Sequence, residues 1–274
     1  MTAPTGVLDL VASLKAAEQA FVLATVVRTV SVTAAKAGAK AVIRPDGTIA
    51  AGWIGGGCAR GAVLKAARDC LADGQPRMVS VQPEDLLAQL GVAAGESRDG
   101  VHFAKNMCPS KGTMDIFIEP VLPHPSLVIL GASPVALSLA AQARTLGYHV
   151  TLAAHPSDIA VAPDADAVVD GFVPHDLAGA RRFVIVSSQG KGDEAALRTA
   201  LAIPAVYRAF VGSCRKMAAL RAKLTGEGIA ADAMASVKAP AGLDLGAITP
   251  EEIALSILAE ITLERRRGQR DRQL

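Results

Sequence analysis

The stretch that decides the fold is Ser126-Leu127-Val128-Ile129-Leu130-Gly131-Ala132-Ser133-Pro134-Val135-Ala136. Its first five residues form a short apolar run bounded by prolines and a glycine, the pattern of a buried parallel strand. A glycine-led turn follows, then a helical stretch to Leu146, where Gly147 supplies the stop. Tyr148 to Ala153 reads as a second strand. Strand, turn, helix and strand span about 30 residues, the size of a βαβ unit, with the turn where a dinucleotide pyrophosphate sits.

The rest of this segment continues the alternation. Strands are expected at Phe183 to Ser187 and Ala209 to Gly212, and helices at Asp193 to Ala202 and Arg215 to Thr225. The last helix has a marked start: Thr249 suits the N-cap, Pro250 the first helical position, and Glu252 completes a capping box. Pro120-Val121-Leu122-Pro123-His124-Pro125 places three prolines in six residues, which no helix interior or central strand accepts. That linker separates an N-terminal domain, 1–122, from a Rossmann-like domain, 126–274. The fold class is α/β: an N-terminal α+β or α/β domain followed by a C-terminal Rossmann-like parallel-sheet domain.

The nucleotide fingerprint departs from G-x-G-x-x-G. Its second glycine is Ser133, and Pro134 removes a peptide donor at the helix start. The acid expected after the second strand is missing; the chain reads Ala153-Ala154-His155-Pro156, with Asp158 near but late. Gly131, Ala132, Ser133 and Pro134 are therefore candidates for holding NAD(P) or another dinucleotide, or a reworked site for a different phosphorylated ligand. Ser187-Ser188-Gln189-Gly190-Lys191-Gly192-Asp193 ends a strand and opens a helix; its N–H groups and Lys191 suit an anion, or it is solvated turn chemistry. Gly212-Ser213-Cys214-Arg215-Lys216 repeats the arrangement. Cations at a helix start oppose the dipole, so Arg215 and Lys216 are either surface charges or there for a bound anion, and the anion is favoured. His155 and His175 stand alone, and no acid–base pair for hydride transfer stands out.

Composition narrows the function classes. Of 274 residues 51% are hydrophobic and 3% aromatic, which suits helix-on-sheet packing and argues against base-stacking nucleic-acid binding. A net charge of +2 gives no electrostatic case for DNA or RNA. The basic stretch Arg265-Arg266-Arg267 with Arg270 and Arg272 reads as a solvated helix end. No signal peptide and no membrane span are expected. The four cysteines, Cys58, Cys70, Cys108 and Cys214, are too scattered for a disulfide framework and lack zinc spacing, which points to a cytoplasmic protein with reduced thiols. A homodimer is the base expectation for a soluble chain.

The N-terminal segment opens with a helical pattern through Gln19, then a strand from Phe21 to Thr33 and two strands, Ala39 to Ile43 and Thr48 to Trp53, joined by Pro45-Asp46-Gly47. Ile54-Gly55-Gly56-Gly57-Cys58 follows. Three glycines leave the backbone unshielded and permit positive φ at each position, so main-chain N–H groups can approach a ligand with a thiol beside it. The alternative is a tight strand-to-helix turn with a buried cysteine. Val63, Ala66, Ala67, Cys70 and Leu71 form an apolar helical face, which makes Cys70 a core residue. A strand at Met78 to Val81, a helix at Glu84 to Leu90, a loop or hairpin over Gly91 to Ser110 and a strand at Thr113 to Glu119 complete the domain.

Together these motifs resemble the XdhC/CoxI family, accessory proteins of xanthine dehydrogenase and carbon monoxide dehydrogenase maturation. Gly38-Ala39-Lys40, Asp46-Gly47 and Ile54-Gly55-Gly56-Gly57-Cys58 look like its glycine-rich motif, and Cys108 corresponds to its second cysteine. Gly212-Ser213 with Arg215-Lys216, and Pro240-Ala241-Gly242-Leu243-Asp244-Leu245-Gly246-Ala247 running into Thr249-Pro250-Glu251-Glu252 and Ser256-Ile257-Leu258-Ala259-Glu260, resemble its C-terminal segments. The resemblance implies a chaperone that binds the molybdenum cofactor (as a molybdopterin dinucleotide), supports its sulfuration with a sulfurase, and passes it to a molybdenum hydroxylase apoenzyme. It implies roles in cargo or metal binding for Cys58 and Cys108, with copper as a variant cargo. Gly55, Gly56, Gly57 and Lys40, together with the Gly131 turn, Ser187, Ser188, Gly212, Ser213, Arg215 and Lys216, become candidate cofactor contacts. The expectation is that Cys58 and Cys108 converge at the domain interface facing the Gly131 turn. Pro109-Ser110-Lys111 after the second cysteine, Gly131-Ala132-Ser133 in place of Gly-Ala-Gly, and the missing acid depart from the family and imply a specialised paralogue serving a hydroxylase of the carbon monoxide dehydrogenase type. An NAD(P)- or flavin-binding oxidoreductase is the competing reading, carried by the βαβ unit alone. A third is a scaffold that recruits sulfurase or apoenzyme through its surface.

Overall fold

The structure is a computed structural model that describes residues 6–109, 111–175, 177 and 181–267. Ser110, Arg270, Arg272 and the side chain of Cys58 lie outside the described part. Contacts divide the chain into two units, Met1–Pro123 and His124–Leu274.

The N-terminal unit runs α1 (Val7–Ala16), β1 (Phe21–Val30), β2 (Lys40–Ile43), β3 (Ile49–Gly52), α2 (Gly57–Asp73), β4 (Arg77–Gln82), α3 (Glu84–Gln89), β5 (Ser97–Arg98), β6 (Val101–Lys105) and β7 (Thr113–Val121). Its sheet has the order β3-β2-β1-β7-β4-β6-β5. β4 and β6 are parallel and the other neighbours antiparallel, so the sheet is mixed. Period-two alternation sorts the side chains. Val22, Ala24, Val26, Ala41, Ile43, Val79, Val81, Ile116 and Ile118 face α2, which returns Val63, Ala66, Ala67 and Cys70. Cys70 is fully buried, and that burial pushes its thiol pKa up. On the other face α1 covers Phe21 and Val42, while Leu87, Val92 and Phe103 form a small cluster of their own. Residues 91–109 contain the β5–β6 hairpin.

Two local expectations change. Pro120 lies inside β7, paired with Val22 of β1. The pairing of β7 with β4 stops at Ile118, so Pro120 has a strand neighbour on one side only, and the absent N–H interrupts no ladder on the other. Of the three glycines only Gly55 takes positive φ, at +111°; Gly56 caps α2 with φ −82° and Gly57 is its first helical residue.

The C-terminal unit runs β8 (Ser126–Leu130), α4 (Pro134–Thr145), β9 (His149–Ala154), a 3₁₀ turn (Pro156–Asp158), β10 (Ala167–Asp170), β11 (Arg182–Val186), α5 (Asp193–Ala202), β12 (Tyr207–Phe210), α6 (Cys214–Gly226), α7 (Ala231–Ala235), β13 (Val237–Lys238) and α8 (Pro250–Arg266). Its sheet is all parallel, in the order β10-β9-β8-β11-β12-β13. Strand order reverses between β8 and β11, and the crevice outside their carboxyl ends is where open α/β sheets take ligands. All five residues of β8 are buried, as expected for a strand covered on both faces. One core packs α4 and α8 against Leu127, Ile129, Val150 and Leu152; the other packs α5 and α6 against Val128, Leu130, Val184 and Val186.

Helix α8 starts as its sequence dictates. Thr249 Oγ1 accepts the Glu252 N–H, and the Glu252 carboxylate accepts the N–H groups of Thr249 and Ile248. Further along α8, Glu260 is almost fully buried. It accepts from the Tyr207 hydroxyl at 2.5 Å and from Gly242 N–H at 2.9 Å, and pairs with Lys238. This carboxylate ties β12, β13 and the Pro240–Ala247 loop to one helix. Gly242 has φ +95°, and a Cβ there would lie 2.2 Å from Ser256 Oγ, so only glycine lets the loop sit this close to α8. Replacing Glu260 by alanine strands Tyr207, Lys238 and the Gly242 N–H. We expect a loss of about 2–3 kcal/mol, toward the lower end for a broken buried pair because Lys238 keeps solvent contact. Urea unfolding of the C-terminal unit, which holds both tyrosines, checks it.

Candidate functional site

In the N-terminal unit the glycine loop and the second cysteine meet. Gly56, Cys108, Asn106, Thr33, Ala59 and Met114 are among the residues lining a pocket of about 80 Å³. Cys108 also lines a wider crevice of about 670 Å³ with Lys105, Met107, Pro109 and Lys111. Its thiol is free and exposed. Asn106 sets the cysteine loop: its side-chain oxygen accepts the Cys108 N–H at 2.9 Å, and its amide donates to Gly112 O at 2.6 Å. Gly112 is obligatory, because a Cβ there would lie 2.3 Å from Val32 O. Asn106 is a site residue that sequence reasoning missed; an Asn two positions before the cysteine, in a position to close an Asx turn, was the available signal.

The three glycines divide by role. A Cβ on Gly55 would meet the Met114 methyl at 3.0 Å in a backbone region side chains avoid. Among the described residues nothing lies within 4 Å of such a Cβ on Gly56 or Gly57, so the space beside their Cα atoms at the start of α2 is open. No side chain caps that helix start. Cys58 is the second residue of α2 by backbone. Lys40 is not gathered here: it neighbours Ala41, which faces α2, so it lies on the opposite face and donates to Thr25 Oγ1 at 3.2 Å. Among the described residues no group of three or more His, Cys, Asp or Glu side chains is placed to hold a metal ion.

The switch-point crevice of the C-terminal unit measures about 210 Å³ and is lined by Gly131, Ala132, Ser133, Pro134, Ser188 and Lys191, among others. Gly131 has φ +117°, and a Cβ would lie 2.4 Å from Ser187 O and 2.6 Å from Ser188 Cα. Its glycine serves close approach of the two turns. Ser133 is the N-cap of α4: its hydroxyl accepts the Ala136 N–H at 3.2 Å and shares a 2.6 Å hydrogen bond with Ser187 Oγ.

Lys191 and Lys216, one cation from each expected anion-binding turn, pair with the protein's own carboxylates. Asp193 Oδ1 accepts from Ser188 Oγ at 2.5 Å and Gly190 N–H at 3.0 Å, and its Oδ2 lies 2.5 Å from Lys216 Nζ. Burial alone would push the Asp193 carboxyl up, but the hydrogen bonds from Lys216, Ser188 and Gly190 outweigh it and hold it below its ordinary value. Lys191 pairs with Asp158 at 2.9 Å. Lys216 thus opposes the α6 dipole because it serves Asp193, and its ammonium also lies 5.6 Å over the Phe210 ring. Arg215 is exposed and has no ion-pair partner among the described residues. Ser213 caps α6 through the Lys216 N–H at 3.2 Å, and Gly212 is forced by Phe210, whose ring would lie 2.4 Å from a Cβ. His155 packs edge-on to Phe172 with ring centroids 5.5 Å apart.

These features define a two-unit α/β protein: a parallel Rossmann-type sheet, preceded by a mixed sheet that carries a glycine–cysteine loop. Residues 127–261 match the XdhC Rossmann domain and residues 14–82 the XdhC and CoxI family. The chain belongs to the XdhC and CoxI family. It is 28% identical over 235 residues to the uncharacterized protein YqeB of Escherichia coli (strain K12), covering 81% of this chain and 40% of that protein. It is 28% identical over 168 residues to a protein of Bacillus subtilis (strain 168) named as a probable subunit of xanthine dehydrogenase, covering 57% of this chain and 47% of that one. The chain therefore spans less than half the length of either curated relative. A crystal structure from Bacillus halodurans described as a xanthine dehydrogenase aligns over 97% of both chains, with 20% identity and a TM-score of 0.46. Among the described residues no helix is long and apolar enough to cross a membrane.

Two outcomes follow from this geometry. Gly55→Ala should cost about 1–3 kcal/mol through its strained φ, whereas Gly56→Ala should stay within about 0.5 kcal/mol; unfolding monitored at Trp53, the single tryptophan, reads this unit selectively. Because the Asp193 pKa is depressed, its stabilisation is complete above its ordinary pKa, about 3.9, and fades as pH falls through the lower native value. The stability gap between wild type and Asp193→Asn, measured by urea unfolding, should be full at neutral pH and shrink below about pH 4.

Proposed function

We propose that this chain is an accessory chaperone that holds the molybdenum cofactor and passes it to the apoenzyme of a molybdenum hydroxylase, of the xanthine or carbon monoxide dehydrogenase type. The observation that carries the reading is the shared pocket of Gly56 and Cys108: an open, glycine-only backbone edge beside a free, exposed thiol. Family membership supports it, as does the relative named as a probable part of a xanthine dehydrogenase.

The chemistry suits such a cargo. Thiolates are soft ligands and bind Cu(I) or a sulfur-rich molybdenum centre in preference to hard cations. In this reading Cys108 and Cys58 hold the cargo at its metal end, or carry sulfur for it from a sulfurase. Peptide N–H groups at the uncapped start of α2 face an anionic part of the cargo. Lys105 and Lys111 border the wider crevice and supply positive charge, although both also pair with acids, Glu84 at 2.7 Å and Asp85 at 3.6 Å. Copper is a second cargo compatible with the same thiols.

The test is anaerobic titration of wild type and Cys58→Ala/Cys108→Ala with molybdopterin, followed by pterin fluorescence, and with Cu(I), followed by metal analysis. Loss of both thiols should weaken binding by about 10–100-fold and abolish activation of the client hydroxylase. Unchanged cargo binding and unchanged activation in the double variant would overturn the reading.

A further inference from the structure

A Rossmann-type sheet implies a dinucleotide, yet the groups around its switch point are already engaged with one another. A pyrophosphate at the β8–α4 turn relies on a second glycine, so that backbone comes close, and on free N–H groups at the helix start. Here Ser133 fills the glycine position and is itself buried. Gly131 N–H donates to Ala153 O at 2.8 Å, Ser133 N–H to Ser187 O at 3.3 Å, and Ala136 N–H to Ser133 Oγ at 3.2 Å. Pro134 has no N–H. Across residues 131–136 only Ala132 and Val135 keep a peptide donor without an acceptor among the described residues.

The facing turn is in the same condition. Ser188 Oγ, Gly190 N–H and Lys216 all converge on Asp193, as three groups would on a bound phosphate oxygen pair. Lys191 is held by Asp158, the first acid in sequence after the strand whose end normally supplies the ribose-binding carboxylate. The crevice between these two turns, about 210 Å³, falls below the roughly 300–1,000 Å³ of ordinary small-molecule pockets; a separate cavity of about 700 Å³ lies beyond β12, lined by Val211, Gly212 and the Pro240–Ala247 loop.

We infer that the switch-point crevice of this chain is closed to dinucleotides, with Ser133, Asp193 and Asp158 standing where ligand groups would bind, and that Asp193 is the resident anion of the β11–α5 turn. The inference concerns the C-terminal unit alone, so it fails or survives independently of the thiol-based chaperone reading.

The experiment is calorimetric titration of the full chain with NAD⁺, NADP⁺, FAD and ADP-ribose. No saturable binding tighter than about 1 mM is expected for any of them. In parallel, Asp193→Ala should regain stability with added inorganic phosphate, through melting temperatures that rise with phosphate concentration, while wild type does not respond. Stoichiometric wild-type binding of any dinucleotide, with Kd below about 100 µM, would overturn the inference. So would a phosphate response equal in both proteins, because Asp193 would then not be occupying the anion position. Where Asp193→Ala does not fold, the wild-type titrations decide alone.

Discussion

The contact between Gly131 and Ser187 sets the geometry of the C-terminal unit. Strands β8 and β11 are neighbours in register from Arg182↔Ser126 to Val186↔Leu130, and both chains must turn away at the same level. The two turns then press together so closely that a Cβ at Gly131 would overlap the Ser187 carbonyl. Only a glycine at positive φ relieves this. Once the turns touch, their polar groups satisfy one another: Ser133 with Ser187 across the junction, and Ser188 with Asp193 within the second turn. A glycine that sequence reading assigns to a ligand is used by the fold, and the same approach leaves the crevice narrow.

The N-terminal glycine loop has the opposite character. There, too, one glycine is a fold requirement, since Gly55 must let the chain pass Met114 on its way into α2. Among the described residues no contact requires the next two. Glycine in the first turn of a helix, with no local steric reason, raises the entropy lost on folding and weakens the helix start. Asn106 and Gly112 meanwhile bring the second cysteine back beside this loop from the far end of the sheet. Backbone left bare at one side and a thiol delivered to the other make a local cost that the packing of the described residues does not explain.

How much of this was legible in the sequence follows from how local each determinant is. The helix starts at Pro134 and Pro250, the stop at Gly147 and the apolar run of β8 are written in adjacent residues, and the elements formed there with ends within a residue or two. The edge strand β10 was missed because Ala167–Asp170 is short and half exposed, without an apolar run to mark it. The place of Pro120 depends on where antiparallel β4 begins, at Arg77, which is distant in sequence and across the sheet in space. The partners of Lys191 and Lys216, Asp158 and Asp193, are hidden from the sequence for the same reason: no spacing rule announces pairings between separate turns. Lys40 was different. The alternation Lys40, Ala41, Val42, Ile43 already placed it opposite the residues that face α2.

Glu260 shows how much of a long sequence signature the fold itself can require. The block from Pro240 to Glu260 contains a loop with little regular structure and a helix that must hold it. Gly242 is needed because the Ser256 hydroxyl and the Ile257 backbone leave no room, and its N–H is needed by Glu260. Lys238 both pairs with Glu260 and donates to Gly242 O at 3.0 Å, so the cation closes the loop on itself. Tyr207 adds the third contact, and its own hydroxyl is pushed up in pKa by burial and by that carboxylate, which keeps it protonated and donating. A buried charge with three donors tolerates little substitution at any of them. Glycine, lysine, glutamate and tyrosine therefore constrain one another across more than 50 residues, and the closure of the fold around a single carboxylate accounts for these four positions.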